Sequence, residues 1–241
     1  MATGDLDGLR SVGMTKLRVL GVDACKDGWV AIELHDGVFS TAHIGASLPA
    51  LLAEHSDIDV VGLDMPLGLV ETGWRQADIA AAGALGAARS TVFRIPPQSV
   101  WLEEDHESAV RRCRELTGQG LSRQTWGLRN KLLEANAYRE HGRPRLHEIH
   151  PEVSFRAMAQ GRIVFSSKKT WRGQMQRRDL LQEAGIGVPA ELGEAGRAGP
   201  DDVLDAAAAA WTAHRIATDQ ATSYPDPPEE CAAGGTIAIW C

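Results

Sequence analysis

Three carboxylates carry the first chemical suggestion in this chain. Asp23 closes the apolar run L-R-V-L-G-V, Asp64 closes D-V-V-G-L, and Asp205 sits in D-D-V-L-D-A-A-A-A-A-W. A buried strand that stops on an acid delivers that acid to the rim of its sheet. Acids from three distant segments, gathered at one rim, make a set of hard oxygen donors for a divalent cation such as Mg2+ or Mn2+. Taken singly, Asp23 reads equally well as a turn aspartate bonding its own backbone, and Asp64 as a capping residue. Asp205 is harder to explain in that way. It lies one turn inside an apolar helical stretch, where a carboxylate needs a partner or a metal. Asp202, three residues earlier, shares its helical face and is either a further metal ligand or an N-cap.

Other residues could complete such a site. The segment H-E-I-H-P-E places Glu148, His150 and Glu152 together. Either glutamate could supply a fourth carboxylate, and His150 is a candidate proton carrier or ligand. The alternative is a packed His150, with Glu152 capping the next helix. Lys26 follows Asp23, Arg75 and Arg89 flank the loop after Asp64, and Lys168, Lys169 and Arg177 form a basic run. These six are candidate contacts to an anionic substrate, phosphates above all. Arg75, Asp78 and Arg89 equally suit a structural ion-pair cluster, and the basic run equally suits a solvated helix face. Trp171, inside that run, offers a face on which a base could stack.

The elements that must position these residues follow from periodicity and turn chemistry. Leu17–Ala24, Trp29–Leu34 and Val38–His43 read as three strands joined by the tight turns K-D-G and H-D-G. Ser47 caps a short helix, Leu48–His55. Asp59–Asp64 is a fourth and almost wholly apolar strand, expected to be central. A loop with P-L-G-L precedes an alanine-rich helix, about Arg75–Ala88. Residues 89–102 read as irregular, with Pro96–Pro97 as breakers, and Glu107–Leu116 and Gln124–Glu140 as helices. Leu146–Ile149 is a short strand. Helices are expected at Pro151–Gln160, Trp171–Ala184 and Asp201–Thr218, the last introduced by Pro200 and with acids in its first turn. Gly185–Gly199 reads as a linker and Tyr224–Glu230 as proline-rich chain, before an edge strand at Thr236–Trp240.

Composition narrows the function classes. No run approaches the ~18 apolar residues of a membrane span, and Met1–Thr15 lacks the build of a signal peptide. Cys25, Cys113, Cys231 and Cys241 are widely spaced, which fits a reducing cytoplasm better than a zinc knuckle or disulfide framework. The net charge of -7 argues against a nucleic-acid partner, but its distribution argues for one. From Glu107 to Arg178 there are 16 Lys and Arg against 6 Asp and Glu, and in the remainder 9 against 26. A basic face on an acidic body is one reading, and solvated Arg/Glu helix faces are the other. Phosphate-loop, nucleophile-elbow and H-E-x-x-H patterns are lacking.

The order strand-strand-strand-helix-strand, with acids ending the first and fourth strands and another in the last helix, resembles the ribonuclease H-like fold. D-D-V-L-D-A-A is similar to the last-helix acid motif of Holliday-junction resolvases of that fold, which cut phosphodiesters with two metals. The whole chain from Leu17 to Trp240 resembles the domain-of-unknown-function family 429, described as predicted nucleases. The matching stretches are G-V-D-A-C-K-D-G-W-V, G-L-D-M-P-L-G-L, R-S-T-V-F, T-G-Q-G-L-S-R-Q, E-I-H-P-E-V-S-F, S-K-K-T and D-D-V-L-D-A. The resemblance implies an α/β domain over residues 17–241 with a mixed sheet flanked by helices. It also implies a mostly helical insertion at about 90–145. The polar, glycine-containing residues 1–16, with Met14 just before T-K-L-R-V-L, read as a disordered tail or an upstream start. The resemblance implies a metal-dependent nuclease, and the cysteine usage a cytoplasmic one. The alternatives are a nucleotide-binding phosphotransferase or ATPase of the same fold, and a non-catalytic binding module whose acids pair with Arg75 or Arg89.

Overall fold

The computed structural model describes residues 16–140, 146–162, 164–231 and 234–241. The expected tail, but for Lys16, and the end of the expected insertion, 141–145, lie outside them. Seven strands form one mixed sheet: β1 (Arg18–Cys25), β2 (Gly28–His35), β3 (Val38–Gly45), β4 (Val60–Asp64), β5 (Leu146–Ile149), β6 (Ser223–Glu230) and β7 (Thr236–Trp240). Their order is β3-β2-β1-β4-β5-β7-β6. The first three run antiparallel, β1-β4-β5-β7 run parallel, and β6 returns antiparallel to β7. This α/β arrangement is consistent with a ribonuclease H-like fold.

Nine α-helices are described: α1 (Leu48–Ala53), α2 (Gln76–Leu85), α3 (Gln98–Trp101), α4 (His106–Thr117), α5 (Arg123–Trp126), α6 (Arg129–Glu140), α7 (Pro151–Ala159), α8 (Trp171–Glu183) and α9 (Pro200–Ala217). Both faces of the central strands are covered, because β1 carries apolar or small residues at every position from Val19 to Val22. Val19 packs with Phe155, Leu181 and the alanines of α9. Leu20 and Val22 pack on the other face with Leu51, Trp101 and Leu132.

The approach of α9 to the sheet sets the geometry of the site. Ala206–Ala210 and Ala213 are all buried. A Cβ added at Gly21 would fall 2.0 Å from the Ala210 nitrogen and 2.2 Å from the Ala206 oxygen, and one at Gly62 would fall 2.6 Å from the Ala209 oxygen. Only glycine allows this backbone-to-backbone contact. Side chains alternate along a strand, so Val19, Gly21 and Asp23 share the α9 face of β1, as do Val60, Gly62 and Asp64 on β4.

Several expectations are corrected here. The expected helix 75–88 stops at Leu85, and a 3-10 turn, Gly86–Thr91, runs from its end into the stretch 89–102. That stretch also holds the short helix α3, which starts directly after Pro97, where proline is tolerated. The expected helix 124–140 is broken at Gly127–Leu128 into α5 and α6. The linker 185–199 contains a second 3-10 turn, Gly193–Arg197. The largest departure is at the end of the chain. The proline-rich segment is itself the edge strand β6, with its ladder interrupted between Tyr224 and Glu229. Thr236–Trp240 is therefore internal, between β5 and β6. The prolines fall in the interruption, where no ladder donor is required.

Gly21→Val should push α9 off the sheet and cost about 3 kcal/mol or more. Gly83→Ala in α2, with nothing within 4 Å of the added carbon, should stabilise by about 0.5–1 kcal/mol. Urea unfolding midpoints of the two variants check both.

Candidate metal centre

Asp23 and Asp64 are register partners across the parallel β1-β4 ladder, each at the carboxyl end of its strand. Asp205 is the sixth residue of α9, immediately before the alanines that rest on Gly21. Strand register, side-chain alternation and the close seat of α9 thus bring the three acids to one point. One oxygen of each lies within 4.8 Å of the others. They line a cleft of about 820 Å³, together with Glu148, His150, Glu152, Lys168, Lys169 and Asp202.

Burial and mutual repulsion dominate the electrostatics. Asp23 is pushed well above the usual carboxylate range by burial first, then by Asp64 and Asp205. Asp64 is raised by burial and by Asp205, and Asp205 by burial against the pull of Lys168. Asp23 Oδ1 accepts from the Ala24 N–H at 2.6 Å. The Lys168 ammonium donates to Asp205 Oδ2. Burial works against that ammonium, but Asp205, Asp64 and Asp23 more than offset it and its pKa is raised. Asp205 Oδ1 is buried and has no hydrogen-bond partner. A bare buried carboxylate oxygen, beside two more carboxylates, is the donor set that a divalent cation takes. Asp23, Asp64 and Asp205 would hold it.

The neighbouring candidates divide into two groups. Glu148 does not join the three. Both of its oxygens accept from Arg75 Nη2 at 2.6 Å, and Oε2 also accepts from the Leu67 N–H at 2.7 Å. Burial nonetheless pushes Glu148 up to about 7, with Arg75 pulling the other way. Glu152 accepts from Arg177 Nη2 at 2.6 and 2.8 Å. Asp202 borders the cleft outside the close trio and is raised by burial and by Asp201. His150 donates from Nε2 to the Thr91 carbonyl at 3.2 Å, which leaves Nδ1, buried and without a partner, as the acceptor. Burial lowers its pKa, so the ring is neutral.

The expected substrate cations are placed unevenly. Arg75 is fully buried between Glu148 and Asp78, the latter at 3.4 Å, so it cannot reach a phosphate. Arg177 is also buried, donating to the Ser166 and Gly173 carbonyls as well as Glu152, with its guanidinium over Phe155 and Phe165. Arg75 serves the interior, where a charge is tolerated only when paired, whereas Arg177, equally buried and paired, also lines the cleft. Lys168 and Lys169 do line the cleft, the latter paired with Asp201. Lys26 and Arg89 are exposed but are not among the lining residues.

Asn136 was not foreseen as part of this region. Its Oδ1 accepts from the Gly68 N–H at 2.7 Å and its Nδ2 donates to the Pro66 carbonyl at 2.9 Å, which clamps the loop after Asp64. Glu148 holds Leu67 in the same loop. The only sequence signal was a polar residue on an otherwise apolar stripe of α6, since Leu132, Ala135 and Asn136 are its buried positions.

Fold and site together define an α/β protein with a carboxylate cluster at the sheet rim, able to bind a metal. The chain belongs to the family described as "Protein of unknown function (DUF429)", whose model matches residues 21–230. No curated protein matches it, and no solved structure does.

A carboxylate whose folded pKa is raised stabilises the fold fully below its unfolded pKa and loses that contribution as pH rises through the folded value. Metal-free protein should therefore lose stability from about pH 4 upwards through neutrality. Asp64→Asn should raise the melting temperature at pH 8 by about 2–4 °C or more, with little change at pH 4, as thermal melts in chelator would show. Arg75→Met strands a buried carboxylate and should cost about 3–5 kcal/mol. Adding Glu148→Gln should recover part of that loss, measured by chemical denaturation.

Proposed function

We propose that the protein is a Mg2+- or Mn2+-dependent phosphodiester hydrolase acting on nucleic acid. The observation that carries this reading is the convergence of Asp23, Asp64 and Asp205 in an open cleft, with Asp205 Oδ1 left bare. A divalent cation bound there would supply Lewis-acid stabilisation of a phosphoryl group and a more acidic water.

The chain's own residues have separable tasks in this scheme. The three acids would hold the cation, and the seat of α9 fixes Asp205 beside the two strand-end acids. Lys168 is the resident counter-charge: it neutralises part of the acid cluster while the cleft is empty. Were Asp205 to ligate a cation, the Lys168 ammonium would be free to face a phosphate. Neutral His150, with its Nδ1 lone pair free, accepts a proton at the wall of the cleft. Lys169 lies at the same wall, and Trp171, at the first turn of α8, is 76% exposed and offers a stacking face.

The phosphotransferase alternative lacks an equivalent support. The β1-β2 ladder continues to Cys25 and Gly28, so only Lys26 and Asp27 lie between the acid-bearing strand and its return. That turn carries a single glycine, Gly28, and no glycine-rich run.

Purified protein should cleave at least one of single-stranded, duplex or branched DNA or RNA with Mn2+ and not with chelator. Asp23→Asn, Asp64→Asn and Asp205→Asn should each reduce cleavage by about 100-fold or more. Lys168→Gln should bind Mn2+ more tightly by calorimetry yet cleave more slowly. Cleavage unaltered in all three aspartate variants, or Mn2+-dependent ATP turnover without cleavage of any polymer, would overturn the nuclease reading.

A further inference from the structure

A second cluster of ligating side chains lies towards the other end of the sheet. Glu33 pairs with Leu20, three residues before Asp23 on β1, so about 10 Å of strand separates it from the acids. The Glu33 carboxylate is buried, at 2% exposure. Its Oε1 accepts from Arg18 Nε at 2.9 Å and Nη2 at 2.7 Å, and lies 2.7 Å from His35 Nε2. Its Oε2 lies 2.9 Å from His43 Nε2. His55, just beyond α1, brings its ring centroid to 4.1 Å from that of His43, tilted by 58°. The Nε2 atom of His55 is buried and meets no hydrogen-bond partner. One ligand atom from each of Glu33, His43 and His55 lies within 4.8 Å of the others.

Hydrogen bonding within the cluster leaves this arrangement incomplete. His43 can satisfy one carboxylate oxygen, but the His55 nitrogen is then stranded, which costs about 1–3 kcal/mol. A cation between the rings and the carboxylate satisfies all three at once. The donor set favours a borderline-soft ion: two imidazole nitrogens and one carboxylate suit zinc and not magnesium. Metal–nitrogen bonds of about 2.0–2.1 Å put tetrahedral ligands about 3.3 Å apart, so the side chains need close by about 1.5 Å at most. Arg18 occupies Oε1 and leaves Oε2 facing His43, as an outer partner of a ligating carboxylate does. Its own charge is shared with Asp57, so the cluster retains the negative charge of Glu33.

We propose that Glu33, His43 and His55 form a three-ligand binding site for a zinc-class divalent ion, distinct from the carboxylate cluster. Such an ion ties the edge strand β3 and the end of α1 to β2. The inference does not depend on the nuclease reading, and its test uses no activity.

The test is metal titration of the tag-free chain carrying Asp64→Asn, which silences the acid site. Zn2+ competition against a chromophoric chelator should give one bound equivalent, weakened about 10- to 100-fold by His43→Gln or His55→Gln. Co2+ should give visible d–d bands typical of nitrogen ligation, and these should disappear in the same variants. Zinc should raise the melting temperature of the Asp64→Asn chain and leave the histidine variants unmoved. If a histidine variant fails to fold, X-ray absorption of the zinc-loaded Asp64→Asn chain decides the matter, with imidazole scattering expected. An all-oxygen shell, no bound equivalent, or unchanged affinity in folded His43→Gln and His55→Gln chains would overturn the proposal.

Discussion

The contact of α9 with β1 and β4, backbone against backbone, is the constraint from which the rest of the site descends. Gly21 and Gly62 remove the side chains that would hold the helix away, and a run of alanines supplies a helix surface with nothing to hold it off. Without that approach Asp205 would sit above the sheet and Asp23 and Asp64 would be an ordinary pair at a strand end. With it, three carboxylates share one small volume. The helix is also covered on its far side by α7 and α8, through Phe155, Leu180 and Leu181, so its position is determined from both directions.

Bringing like charges together inside a protein is unfavourable, and the molecule meets that cost with paired cations. Arg75 is shared between Glu148 and Asp78, Arg177 neutralises Glu152, and Lys168 leans on Asp205. The first two cations are enclosed and fixed. Lys168 is half-buried on the rim of the cleft, and it is the member of the set with freedom to leave. The difference separates the supporting acids from the working ones: Glu148 and Glu152 have permanent partners, whereas Asp23, Asp64 and Asp205 share a replaceable one.

The strands, the alanine helix and the three acids were legible because each rests on local pattern. Runs that stop on an acid, tight D-G turns and a Pro-capped helix do not depend on distant chain. The meander, the central fourth strand and the last helix all follow from such signals. What was not legible needs the third dimension. Arg75 and Arg177 look like any surface cation until the element that buries them is in place. Asn136 has no motif at all, and its role comes from a loop 68 residues away. The Glu33, His35, His43 and His55 cluster was likewise invisible, since its members come from two strands and the end of a helix. The strand Ser223–Glu230 was missed because proline argues against strand, and the rule gives way only where a bulge removes the ladder.

That bulged strand has one more consequence, which concerns the molecule's neighbours in solution. A sheet edge with a continuous row of N–H groups invites another chain to add itself. On the β6 side the row is broken at Pro225, Pro227 and Pro228, which have no N–H to offer. At the opposite edge β3 contains no proline between Val38 and Gly45. Prolines thus guard one border of the sheet and not the other, so pairing that starts at β3 meets a border that cannot pass it on, and edge-to-edge growth stops short of a ribbon.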